Sequence, residues 1–221
     1  MNVRDALGIS EKRQEQLSRV LQLSLVGLLF IGVDRGNMGI AVNATVALAV
    51  TYLPALLERE YDVPMDAGLT LWITVAVFLH ALGTVGIPGS RYSFYANVWW
   101  WDHMTHALSS SVVAAAGYTV ARAVDEHSDA VYLPSRFMFV FILLFVLAFG
   151  VFWEVIEFAV SGLASVLGSG SVLTQYGLSD TMLDLVFDAI GGVVVAVWGT
   201  AHLTDVAGAL TEKLDERSGD A

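Results

Sequence analysis

The stretch Trp99-Trp100-Trp101-Asp102-His103-Met104-Thr105-His106 sets three ionisable groups at the mouth of an otherwise apolar run. As a helix it places Asp102 and His106 four residues apart and His103 and His106 three apart, so all three can face one side. Further along, Glu154 and Glu157 are three apart, Asp180, Asp184 and Asp188 form an i, i+4, i+8 stripe, and His80 adds another imidazole. Helical bundles build carboxylate-bridged metal sites at these spacings, with a Glu and a second ligand three residues on projecting into the core. Here Glu157 holds that second place, and the imidazoles must come from other segments. The chain has no Cys, so a metal would be held by His, Asp and Glu alone. That donor set suits Zn, Mn or Fe, whereas oxygen ligation alone would suit Mg or Ca. The candidate ligands of a divalent metal are therefore His80, Asp102, His103, His106, Glu154, Glu157, Asp184 and Asp188. They suffice for two ions, or for one ion with a surrounding shell of partners.

Composition says what must position them. Of 221 residues, 56% are hydrophobic and 15% charged, and the mean hydropathy is +0.64; these are the values of a membrane protein. A formal charge of -11 argues against nucleic acid as a partner and leaves no polybasic patch for anionic lipid. Lys stands only at positions 12 and 213, and acids crowd the tails and loops. That bias resembles the acidic, Lys-poor proteins of salt-loving archaea.

Hydropathy predicts an all-α polytopic membrane protein with six transmembrane helices and both termini cytoplasmic. Residues 1–16 read as a cytoplasmic amphipathic lead-in, 17–204 as the six-helix transmembrane domain and 205–221 as an acidic cytoplasmic tail. The spans fall at 17–33, 38–57, 67–84, 98–121, 137–160 and 182–203, each near the ~20 residues a helix needs to cross hydrocarbon. The first run could mimic a signal peptide, but no small-x-small cleavage site follows it. Trp72, Tyr132 and the Trp99 to Trp101 run stand near span ends, where amphipathic rings favour the headgroup level. With the N-terminus inside, Arg4, Lys12, Arg13, Arg19, Arg59, Arg122, Arg136, Lys213 and Arg217 are cytoplasmic, and only Arg35 and Arg91 are outside.

In that topology the ionisable groups converge. His80 ends an outward-running span, Asp102, His103 and His106 open an inward-running one, and Glu154 and Glu157 against Asp184 and Asp188 repeat the arrangement. At ~1.5 Å per residue His80, His103, His106, Glu154, Glu157, Asp184 and Asp188 share a depth of roughly 5 to 12 Å below the outer surface, while the inner halves of the same spans carry almost nothing ionisable. A charged Asp at a helix centre costs about 2.5 to 3.5 kcal/mol, so a set of such carboxylates would rival a domain's whole stability of about 5 to 15 kcal/mol. No Lys or Arg lies within the four spans that carry these groups. Protons, His cations, water or a bound metal must compensate.

Plainer readings stand beside this one. The same groups can form a proton path or a hydrogen-bonded network between helices. Asp180 reads as an N-cap of the last span, with Ser179 or Thr181 helping. His127 and His202 fall on the cytoplasmic side as spectators, and the sequon Asn43-Ala44-Thr45 lies inside a span. Ser109 to Ser111, Ala114 to Gly117 and Gly191-Gly192 are small-residue faces for close helix packing. The Gly/Ser-rich segment 161–179 and the segment 85–97 have the make-up of mobile lids.

Taken in order, Phe78-Leu79-His80-Ala81-Leu82-Gly83, Tyr92-Ser93-Phe94-Tyr95, Asp102 with His106, Trp153-Glu154-Val155-Ile156-Glu157-Phe158 and Asp180-Thr181-Met182-Leu183-Asp184 resemble the YjdF-like family of uncharacterised integral membrane proteins. The resemblance implies a multi-pass fold with His80, Asp102, His106, Glu154, Glu157, Asp180 and Asp184 as polar positions, and implies no activity. His103 departs from the family's pattern, as does Arg91, which stands where the family often has a His.

The expected function is that of a plasma-membrane, multi-pass protein with an outward-facing His/carboxylate site. A metal-dependent enzyme acting on a lipid or another membrane-delivered substrate is one form, most simply a hydrolase with Glu154 or Glu157 as general base and His80, His106 and Asp184 holding the ion. A proton or divalent-cation transporter or channel is the second, and a structural or binding protein without turnover the third.

Overall fold

The computed structural model describes residues 10–87, 93–168, 170–173, 175–199 and 203–219. Residues 1–9 of the lead-in with Arg4, His202, and Pro88, Gly89, Arg91 and Tyr92 of the 85–97 segment lie outside the described residues. Among those described the chain is helical, with no strand beyond an isolated bridge between Gly86 and Ser93. The helices are α1 (Glu11–Asp34), α2 (Met38–Thr51), α3 (Leu53–Tyr61), α4 (Ala67–Gly83), α5 (Phe94–Asn97), α6 (Trp101–His127), α7 (Ser135–Leu167), α8 (Leu178–Val194) and α9 (Thr204–Gly219), with a π-helical turn at Val195–Gly199. Their starts are written in side chains that satisfy orphan amides. Asn37 accepts from Ile40 N at 3.1 Å and Asp66 from Leu69 N at 2.8 Å, opening α2 and α4.

Several boundaries differ from those hydropathy sets, because helix continuity follows backbone hydrogen bonding rather than apolarity. The described end of the lead-in and the first span form one helix, α1. Pro54 stands in the first turn of α3, where its missing N–H is tolerated, and breaks the second span into α2 and α3. Helix α7 runs on to Leu167 and ends at Gly168, with φ of 64°, so the expected loop from residue 161 begins seven residues late.

Two apolar clusters hold the bundle. Leu25, Leu28, Ala44, Ala47 and Ala81 pack α1, α2 and α4 together. Ala114, Ala115, Met138, Ile142, Val146 and Val195 join α6, α7 and the π turn. Helix α4 serves both, sending Leu69 and Trp72 to the second cluster, with Trp72 Nε1 donating to Ser111 Oγ at 3.1 Å.

Among the described residues, four segments are long and apolar enough to cross a membrane: Glu11–Asp34, Met38–Tyr61, Trp101–His127 and Ser135–Leu167. Phe30, Phe152, Phe158 and Val166 stand open on their outer surfaces, a placement that a bilayer, not water, makes favourable. Helix α4 is apolar but has 17 residues, about 26 Å at ~1.5 Å per residue, a little under the ~30 Å of hydrocarbon. Helix α9 is tied to α6 and α3 by polar contacts, His127 Nδ1 to Asp215 Oδ1 at 2.5 Å and Lys213 Nζ to Asp62 Oδ2 at 2.9 Å.

Candidate metal centre

The seam between α6 and α8 carries the polar cluster. The first two turns of α6 present Asp102, His103 and His106 to Asp184 and Asp188 of α8. His103 Nδ1 lies 3.2 Å from Asp184 Oδ1, and its ring stacks on Phe187 with centroids 4.7 Å apart. His106 Nδ1 lies 3.2 Å from Asp188 Oδ1, and its Nε2 lies 3.7 Å from Asp102 Oδ1. Asp184 and Asp188 are 1% and 4% exposed, so their charges depend on these partners and not on water.

Two glycines let the carboxylates in. A Cβ at Gly150 of α7 would overlap Asp188 Oδ2. A Cβ at Gly191 would overlap Ser110 Oγ and the Ala107 carbonyl oxygen. The backbone of α8 thus lies directly against α6 one turn below Asp188.

Asp102, His106 and Asp184 each offer a ligand atom, and these atoms all lie within 4.8 Å of one another. The donor chemistry fits a divalent ion: one imidazole nitrogen and two carboxylate oxygens. Asp188 supports that fit, because a carboxylate on Nδ1 fixes the tautomer of His106 and leaves Nε2 as the ligand nitrogen. His103 gives Asp184 the same kind of support.

The remaining expected residues stand around this group and not in it. Glu154 is 5% exposed; its Oε2 accepts from Thr181 Oγ1 at 2.7 Å, and Thr181 in turn accepts from Gln175 Nε2 at 3.0 Å. Glu154 Oε1 is buried without a partner among the described residues. Trp153 Nε1 donates to Glu157 Oε1 at 3.1 Å. The Tyr95 hydroxyl lies 2.9 Å from His80 Nδ1 and 3.2 Å from the His80 carbonyl oxygen, and the His80 ring meets Trp153 edge-on at 5.8 Å. His80 and Glu157 line, with Asp102, a cavity of about 170 Å³ beside the three-ligand group. Asp180 is not the N-cap of α8. Gly177 holds that place, and Asp180, three positions further in, reaches back so that Oδ2 accepts from Tyr176 N at 3.2 Å. Burial, then the nearby Asp102 side chain, raises the Tyr176 hydroxyl above its usual range.

From the sequence, Thr181 stands only as a helper of the cap, Gly150 has no role, and Tyr95 enters only through a family-like segment. The first two had a signal: Thr181 precedes Asp184 by three residues and Gly150 precedes Glu154 by four, so both lie on the helix faces of the acids. Tyr95 sits in a short connecting helix with no periodicity to place it.

The family model described as predicted membrane protein, DUF2238, matches residues 17–205. An uncharacterised protein of Thermotoga maritima is 28% identical over 190 residues, which cover 84% of this chain and 90% of the relative. No solved structure matches the chain.

Proposed function

The chain belongs to the DUF2238 family of predicted membrane proteins, and from that premise we propose a metal-dependent membrane enzyme whose site faces the outer side of the plasma membrane. In this reading α4, and α8 with its π turn, complete six crossings and leave both termini cytoplasmic. Asp102, His106 and Asp184 hold the ion; bound there, Zn, Mn or Fe supplies Lewis acidity and a nucleophile at neutral pH. Asp188 and His103 hold the ligands in place. Glu157, on the cavity wall with one oxygen on Trp153, takes the proton as general base, and Glu154 braces α7 against α8 through Thr181. The reaction is the hydrolysis of a lipid or another membrane-delivered substrate.

One observation carries this reading: three ligand atoms from two helices within 4.8 Å, backed by a buried carboxylate on the outer nitrogen of the imidazole. Elemental analysis of the purified protein tests it. Wild type is expected to carry one equivalent of metal per chain, and His106→Ala and Asp184→Ala to carry none while keeping their helical content. A metal-free wild type with full stability would end the proposal. Glu157→Gln should keep the metal and lose turnover.

Proton or divalent-cation transport is the rival. Beneath the cluster Gly191 packs against Ser110 and the Ala107 carbonyl, which speaks for a dead end and against a path. Uptake of labelled metal into vesicles would favour transport.

A further inference from the structure

The cavity of about 170 Å³ beside the three-ligand group takes four of its lining residues, Ser171, Val172, Leu173 and Tyr176, from the connection between α7 and α8. Ser171, Val172 and Leu173 are half-buried and Gly170 is exposed, so this stretch crosses the cavity as a strap with one side on it and the other away from it. A wider cleft shares Tyr95, Asp102 and Tyr176 with the cavity, but His80 and Glu157 line the cavity and not the cleft. The strap is the part of their enclosure that can move without unwinding a long helix.

Its two ends are held differently. Towards α8 it is anchored: Gln175 Nε2 donates to Thr181 Oγ1 at 3.0 Å and Tyr176 N to Asp180 Oδ2 at 3.2 Å. Towards α7 it turns at Gly168, where φ is 64°, in the left-handed region that glycine enters without strain. A Cβ at Gly168 would meet nothing within 4 Å, so this glycine serves rotation of the backbone and not packing.

The middle of the strap rests on the bundle at one place. The Val172 carbonyl accepts from Asn43 Nδ2 at 2.9 Å, across 129 residues of chain. The other bond of residues 170–173, Ser171 Oγ to the Leu173 carbonyl, stays within the strap. Asn43 belongs to α2 and is 6% exposed; its second amide hydrogen goes to Gly39 O at 2.8 Å. An amide buried in a membrane span is costly unless each donor finds a partner, and the strap supplies the partner that α2 lacks. One net hydrogen bond is a modest restraint, of the size that leaves a loop free to open locally while the fold stays intact.

We infer that residues 170–173 form a lid over the cavity, turning at Gly168 and latched by Asn43 on the Val172 carbonyl, so that a ligand reaches His80 and Glu157 when the latch opens. The inference rests on the metal reading only for what the lid admits to the three ligands. Covering of His80 stands or falls without a metal.

The test uses the full chain in detergent and the reagent diethyl pyrocarbonate, with modification of each His read by peptide mass spectrometry. Tyr95 engages His80 Nδ1 and leaves the other ring nitrogen to react; His127, at the opposite end of α6, is the internal reference. The chain has no Cys, so a pair placed by Gly39→Cys and Val172→Cys is the only source of a disulfide. A Cβ at position 39 would lie 4.0 Å from Val172 Cα, within the reach of such a bond. Oxidation of the pair should slow labelling of His80 against His127 at least tenfold, and reduction should restore the wild-type rate. Asn43→Leu keeps the bulk of the side chain and removes the latch; His80 should label about two- to tenfold faster, the weight of one net hydrogen bond. Failure of the disulfide to form, equal rates in the oxidised and reduced pair, or no labelling of His80 in wild type and Asn43→Leu alike would overturn the lid. A wild-type rate in Asn43→Leu would overturn the latch. In a chain that carries metal, the oxidised pair should also slow its removal by EDTA. A lock that protects His80 in a chain that never holds metal would sink the metal reading and leave the lid standing, whereas bound metal with unprotected His80 would do the reverse.

Discussion

At one end of the α6–α8 seam, Asp184 and Asp188 meet His103 and His106 through side-chain contacts of 3.2 Å; one turn further on, Gly191 lies against Ser110 and the Ala107 carbonyl with no space for a methyl group. The polar end uses long side chains to bridge the helices, so its geometry depends on where the backbones sit. The close-packed end has almost no side chain between the backbones, so it sets that distance and the rotation of α8 about its axis. Close-packed interiors transmit such constraints because they have little slack, and a site is only as well ordered as the shell that supports it. The tight end thus acts as the gauge for the chemical end.

The comparison can be broken from either side. Asp188→Asn keeps the shape of the side chain but removes the charge on His106 Nδ1, and metal affinity should fall about 10–100-fold, measured by competition with a chelator. Gly150→Ala pushes a methyl group at Asp188 Oδ2 and should lower affinity in the same direction. Gly191→Ala should destabilise the bundle by about 1–3 kcal/mol through overpacking, read as a lower midpoint in detergent unfolding, and should weaken metal binding although it touches no ligand. If metal affinity is untouched while stability drops, the two ends are independent and the gauge idea fails.

Smaller effects sharpen the picture. Thr181→Val removes the donor to a buried Glu154 oxygen and should cost about 1 kcal/mol. Gly162→Ala, with open space around its Cβ, serves as the control that separates crowding from helix propensity. Nearest to no effect is Lys213→Ala. Asp62 holds the Lys213 ammonium above its usual pKa range, but an exposed pair is screened by solvent, and the unfolding midpoint should not move.

Much of this was legible in the chain. The i, i+4, i+8 acids of α8 and the paired imidazoles of α6 pointed to opposing helix faces, since a 3.6-residue period is a local property. Their common height followed from counting residues along the spans. Less legible was which residues would separate from the ligand group. His80 and Glu157 line one cavity with Asp102, yet Tyr95 engages one and Trp153 the other. Trp153 stands four residues before Glu157, a spacing that permits their bond, but only packing decides whether the acid turns to the indole or to a metal. Asp180 misled for a related reason: an Asp near a helix start serves as an N-cap or as an inward position reaching back, and the choice depends on where the loop places Gly177.

The chain by itself determined the helices, their lipid-facing apolarity and the stripes of acid and imidazole, because each depends on neighbours within a turn or two. Tertiary structure alone decided that His103 faces Asp184 and His106 faces Asp188, 81 and 82 residues away, and that Asp102, His106 and Asp184 draw together. Those pairings hang on the rotation and height of α8 against α6, and contacts at Gly150 and Gly191, distant in sequence from their partners, set both.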